Sequence, residues 1–222
     1  DPNRNFKIMA SAHLPGFGIY WYRRDAYLKR KADFAKTKDT KYLVREVELQ
    51  SPSFMAGLQE QLDKSLKPIV PLRPMAVYLA DESSLTFYGD SFDVSWAPEA
   101  LAGFRTWLKG EYGDIRSVNA MWGTSFTNWE SVLPMTTEQA QKHGNFAAWA
   151  DHRIYMEQEF GKAFGRASDL LHQMDPGGRA SISGTQVPGA HNGCNWYEID
   201  QQIDYLQPYS DGNQDAMHHL FR

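Results

Sequence analysis

Four short apolar runs, separated by stretches of helical periodicity, constrain this chain more than any other feature of it. They are Phe6 to Ala12, Met75 to Ala80, Arg179 to Gly184 and Ile203 to Leu206. Runs of this length with little polar alternation suit strands buried on both faces of a parallel sheet. Strands alternating with helices are the mark of α/β architecture.

The helices announce themselves by their ends. Ser51-Pro52 supplies an N-cap and a first-turn proline, and Phe54, Leu58, Leu62 and Leu66 follow on one stripe. A second helix is expected from about Pro98, burying Leu101, Phe104 and Leu108. Asp114 reads as the cap of a short helix carrying Ile115, Val118 and Met121. The longest is expected from about Asn145 to Met174, and Asp175-Pro176-Gly177-Gly178 stops it. Two long connections remain, 14–50 and 83–97. Each follows a strand and precedes a helix, which in a barrel places it on the face where active sites are built.

A closed (β/α)8 barrel takes about 250 residues, whereas four strands here occupy all 222. The reading is therefore a single, incomplete domain over 1–222: a partial TIM barrel lacking strands at both ends. The opening Asp1-Pro2-Asn3, without Met or signal peptide, and the stop at Phe221-Arg222 within an incipient helix suit a cut through a longer polypeptide.

Composition narrows the partners. A net charge of −4 without long blocks of one sign disfavours nucleic acid and anionic membranes. No run approaches the roughly 18 apolar residues of a bilayer span. The single cysteine, Cys194, permits no internal disulfide and no multi-thiolate zinc site. The histidines show no HxxxH or HxH spacing, and His218-His219 stands as an isolated pair, so neither metal nor cofactor is expected. Seven Trp, eleven Tyr and twelve Phe suit sugar stacking, though core packing is the more ordinary use of such rings.

The segment Tyr78-Leu79-Ala80-Asp81-Glu82-Ser83-Ser84 carries the chemistry. A strand buried on both faces has no use for two carboxylates at its end unless the tip opens into a polar cleft. There, partial desolvation and a like-charged neighbour can keep one carboxyl protonated, as a general acid for glycosidic bond cleavage requires. Otherwise the pair caps a solvated turn.

Tyr78 to Glu82, then Pro98-Glu99-Ala100-Leu101-Ala102-Gly103-Phe104-Arg105-Thr106-Trp107-Leu108-Lys109, Tyr112-Gly113-Asp114, Val118 to Phe126 and Trp129-Glu130 resemble the family 42 glycoside hydrolases of clan A. Arg45 to Phe54 resembles their arginine loop and Ser-Pro helix start, and the likeness extends over about 40–210. It implies a barrel hydrolysing β-linked sugars with retention, β-galactosides foremost, the visible strands being numbers three to six. Glu82 takes the general acid/base position. By the same resemblance the nucleophile belongs to a seventh strand following Arg222, so the segment alone is expected to be inactive. Of the carboxylates present, Glu46 and Glu48 lie in the first long connection, Glu198 lies between helix and strand, and Asp204 lies at the start of its strand. None has the nucleophile's address.

Two departures stand out. Asp81 occupies the place where the family usually has Asn; ionised, it accepts from a sugar hydroxyl but cannot donate. The loop Thr86 to Asp93 has no thiol, so the zinc cluster of many members is not expected here. Further substrate-binding candidates are Arg45, as a sugar or carboxylate ligand or a surface ion pair, and His13, just past the first visible strand. Trp196 and Tyr209 are sugar platforms or packing residues, while Trp122 anchors its loop. Tyr20-Trp21-Tyr22-Arg23-Arg24 suits oligosaccharide stacking or an acidic sugar. An endo-acting hydrolase of a galactan-type polysaccharide and a silent sugar-binding barrel are the alternative functions. The partner is a carbohydrate, the complete chain is a candidate homo-oligomer, and export to the periplasm or exterior is favoured over the cytoplasm.

Overall fold

The computed structural model describes residues 5–18, 23–87, 89–184, 189–209 and 219–221. Tyr20, Trp21, Tyr22 and His218 lie outside them. The four apolar runs form strands β1 (Asn5–Ser11), β2 (Pro74–Asp81), β3 (Ala180–Ser183) and β4 (Tyr205–Gln207). They pair in sequence order and all in parallel, so every strand tip points the same way. Helices α1 (Arg24–Thr37), α2 (Pro52–Ser65), α3 (Pro98–Tyr112), α4 (Ile115–Trp122), α5 (Thr137–His143), α6 (Ala147–Met174) and α7 (Trp196–Asp200) fill the connections. Sequential parallel order with helical crossovers is the arrangement of part of a (β/α)8 barrel. None of the described helices is long and apolar enough to cross a membrane.

The expected helix starts have their physical causes in place. The Ser51 hydroxyl accepts from the Phe54 amide, and the Asp114 carboxylate accepts from that of Ser117. Phe54, Leu58 and Leu62 turn inward along α2. In α4, Val118 is buried but Met121 is exposed; Trp122 takes the inward place. Its indole N–H donates to Asp151 at 2.7 Å, which also accepts from the Tyr112 hydroxyl at 2.6 Å. The Asn119 side chain closes the following turn, accepting from Thr124 Oγ1 and the Phe126 amide and donating to the Phe126 carbonyl, each at 2.8 Å. The Asn-x-x-Trp-Gly-Thr segment is thus a self-bonded loop hung from a buried indole.

Three helices escape the sequence reading. The connection 14–50, read as one loop, contains α1, whose sequence RDAYLKRKADFAKT buries only Tyr27 and therefore shows no apolar stripe. Short α5 is set by a capping box between Thr136 and Gln139. Short α7 starts at Trp196 behind an Asn195 cap.

Two apolar clusters position the loops. In the main core, Phe17 inserts beneath the loop after β1, its ring centre 4.4 Å from Phe164 and 5.9 Å from Phe54 and Phe160. Burying one such ring contributes on the order of 2–3 kcal/mol. The Phe17 carbonyl accepts from the Ser84 amide at 2.9 Å, fastening the loop after β1 to the loop after β2. A second cluster of Tyr27, Leu43, Phe92, Val94 and Trp96 packs the α1 excursion against 83–97.

Candidate functional site

At the end of β2, burial gives way within two residues. Leu79 and Ala80 are fully buried, whereas Asp81 and Glu82 are half-buried. Asp81 pairs in register with Ser183 of β3, and the Glu82 amide donates to the Ser183 carbonyl at 3.0 Å. That bond continues the sheet ladder while Glu82 itself bends into left-handed backbone, φ 45°. A non-glycine residue held there is uncommon, and such strain clusters at functional sites. The Glu82 carboxylate accepts a hydrogen bond from the Tyr209 hydroxyl, beyond the tip of β4.

His13 stands at the neighbouring tip, also at φ 45°. The amides of Ala12 and Leu14 bond the carbonyls of Tyr78 and Leu79, so His13 is the bulged residue between two buried neighbours and faces outward. It lines a cavity of about 390 Å³ together with Gly16, Arg23, Glu60 and Gln61. Asp81, Glu82 and Tyr209 therefore form one group at the strand tips, with His13 on the next strand over.

Arg45 and Trp196 lie elsewhere. Arg45 is 5% exposed, and its Nη2 donates to the Gly16 carbonyl at 2.7 Å, so it braces the loop after β1 from beneath. Its amide donates to Glu48 Oε1 at 2.8 Å. Burial lowers the Arg45 pKa and raises that of Glu48. Trp196, 2% exposed, is part of the main core; an indole at the head of a helix packed on α6 is held by its apolar area. The structure thus corrects the expectation of a sugar platform at Trp196 and of an open ligand at Arg45.

Two of the other carboxylates are paired, and a third lies on a helix away from the strand tips. Glu46 pairs with Arg23 at 2.7 Å. Asp204 accepts from the Ala180 amide and from His172 at the start of β3, the opposite end of the sheet from Glu82. Glu198 packs against Gly161 of α6.

Sequence reasoning missed Asp93. It accepts from the amide and hydroxyl of Thr137 and from the Trp149 indole, at 3.0, 3.2 and 3.1 Å, and faces His191 at 3.7 Å. Burial pushes its pKa up, but the His191 imidazole, the Thr137 amide and the Arg153 guanidinium outweigh that and hold it below the usual carboxylate range. It clamps the segment 83–97 to α5, α6 and the loop after β3. A lone aspartate in a long loop carries no periodicity that could have marked it.

With this geometry in place, comparison with known proteins identifies relatives. The family model described as β-galactosidase, glycoside hydrolase family 42, matches residues 87–211, starting just after Glu82. No curated protein matches the chain. Similar solved folds include the β-galactosidase of Bacillus circulans sp. alkalophilus, at 16% identity and TM-score 0.58, covering 78% of this chain and 27% of that one. The exo-carrageenase GH42 of Bacteroides ovatus gives 16% and 0.58, with 79% and 26% covered. The β-galactosidase of Rahnella sp. R3 gives 15% and 0.57, with 73% and 23% covered. The chain spans about a quarter of the length of each.

Proposed function

The chain belongs to the β-galactosidase family 42 of glycoside hydrolases, and from that premise we propose that the complete protein is a retaining hydrolase of β-galactosides with Glu82 as general acid and base. The observation that carries this reading is the placement of Glu82. It stands one residue past a buried strand, on strained backbone, beside a second carboxylate, at the end of the sheet where barrels of this kind hold their chemistry. In the first step the protonated carboxyl donates to the glycosidic oxygen as a second carboxylate attacks the anomeric carbon. In the next, Glu82 takes a proton from the water that releases the sugar. The second carboxylate is expected on a later strand. Asp81 is proposed to accept from a sugar hydroxyl beside the reacting carbon, and His13 to border the sugar.

Replacing Glu82 by Gln in the complete protein keeps the shape and removes the proton. We expect kcat/KM on an alkyl β-galactoside to fall by about a hundredfold or more. Unchanged turnover would remove Glu82 from the mechanism and favour the silent sugar-binding barrel.

An endo-acting hydrolase of a galactan-type polysaccharide is the second reading. It is favoured by the α1 excursion, which docks on 83–97 through Tyr27 and Lys31 and so joins the two long strand-to-helix connections, as the side of an extended cleft would require. The sizes of products from a polysaccharide digest separate the two: single sugars support the first reading, oligosaccharides the second.

A further inference from the structure

Tyr209 reaches Glu82 from two strands away. Glu82 follows β2, β3 is the neighbour of β2, and Tyr209 follows β4 on the far side of β3. A side chain making that span has to cross the tip of β3. The residue at that tip is Gly184, in left-handed backbone at φ 65°, its amide donating to the Gln207 carbonyl at 2.9 Å. A Cβ at Gly184 would lie 2.7 Å from the Tyr209 hydroxyl oxygen and 2.8 Å from Cζ, both far inside contact distance. The phenol therefore occupies the volume that any side chain at position 184 would need. Its hydroxyl ends on Oε1 of Glu82. At 46% exposure, Tyr209 is not held there by burial in a core.

We propose that Tyr209 is a positioning residue for Glu82: seated on Gly184, it engages Oε1 so that Oε2 carries the proton and faces the glycosidic oxygen. The inference rests on the reading of Glu82 as acid and base. A phenol has one proton to donate, and a protonated carboxyl has one oxygen that only accepts. Donation to Oε1 makes that oxygen the accepting one and leaves Oε2 as the O–H. In the first step the proton passes from Oε2 to the departing oxygen, and the electron pair of the broken C–O bond leaves with that oxygen. The second carboxylate bonds to the anomeric carbon. Glu82 is then ionised, and the bond from Tyr209 becomes charge-assisted, stronger than before the step. Tyr209 keeps its own proton throughout.

The test is kcat/KM in the complete protein on β-galactosides of graded leaving-group basicity, from dinitrophenyl to alkyl. It compares wild type, Tyr209→Phe, Glu82→Gln and the double variant, with melting temperature as the check on folding. Phenylalanine keeps the ring on Gly184 and removes only the hydroxyl. Tyr209→Phe is expected to lose about tenfold on the alkyl substrate, the scale of one hydrogen bond to a charged group. On the dinitrophenyl substrate, whose leaving group needs no proton, the loss is expected to stay within about twofold. In the Glu82→Gln background, Tyr209→Phe is expected to add nothing, because it acts through the proton already removed. A loss equal across leaving groups, or one that persists in full in that background, would show that the hydroxyl serves the sugar or the fold and overturn the proposal. Wild-type rates for Tyr209→Phe beside a large loss for Glu82→Gln would sink the positioning role alone. Unchanged rates for Glu82→Gln would remove both it and the reading beneath it.

Discussion

Glu48 shows how a single buried charge leaves a signature in solution. Its burial disfavours ionisation more than the Arg45 guanidinium and the amides of Arg45 and Ala97 favour it, so the carboxyl titrates above its ordinary value of 4.5. A folded pKa above the unfolded one means that the folded state binds more protons. The stability linked to Glu48 is therefore fully present below pH 4.5 and is lost as pH rises through the folded value. Glu48→Gln keeps an acceptor for the Arg45 amide and removes the titration. Its melting temperature relative to wild type is expected to rise as pH is raised from about 4 to 8. A difference constant across that range would show that Glu48 titrates alike in the folded and unfolded chain.

Between elements, the tightest constraint lies where α3 crosses α6. A Cβ at Gly103 would sit 2.1 Å from the Tyr155 hydroxyl oxygen, which no side chain tolerates. Tyr155 has little room to yield: its ring lies among Phe104 and Trp107, at 5.5 and 6.2 Å, and its hydroxyl meets Gln50. Gly103→Ala is expected to destabilise the protein by about 1–3 kcal/mol, as overpacked cores do. Adding Tyr155→Phe removes the clashing atom and should restore part of the loss. Equal melting temperatures for wild type and Gly103→Ala would show that the helices separate freely. The glycine was visible within the sequence stripe of Leu101, Phe104 and Leu108, but nothing in that stripe says that a tyrosine fifty residues later requires it. In the same way α1 was hidden by its charge, because a helix that buries one tyrosine has no periodicity to read.

For the molecule as a whole, the sheet has two unlike faces. Val77, Leu79, Ala180 and Ile182 lie buried in the helix-covered core, whereas Met9 and Tyr205 are exposed. The Tyr78 hydroxyl links Met9 and Gln207 across that open side. In a closed barrel such a face is filled from the opposite strands. Retaining hydrolysis also needs a second carboxylate about 5–5.5 Å from the first; Glu46, Glu48 and Asp204 are engaged elsewhere, and Glu198 lies on α7, whose backbone packs on Gly161 of α6. Expressed alone, residues 1–222 are expected to show no turnover of an aryl β-galactoside at concentrations where the complete protein is active. Turnover by the segment, lost on Glu82→Gln, would place the second carboxylate within it.

Local signals determined much of this protein. Apolar runs bounded by turns specify the four strands, Ser51, Pro52 and Asp114 specify helix starts, and two carboxylates closing an apolar strand mark the tip proposed as the reactive one. Each is a property of neighbouring residues, where backbone preference and burial act together over a few positions. Arg45 and Trp196 were legible as residue types suited to sugars, but their burial depends on what packs over them. Only the tertiary structure decided that Gly184 clears the path for Tyr209 to meet Glu82, and that Asp93 clamps 83–97 to α5 and α6. Those contacts join residues 44 to 127 positions apart: strand tips side by side in the sheet bring Tyr209 to Glu82, and the packing of 83–97 on α5 and α6 brings Asp93 to its partners.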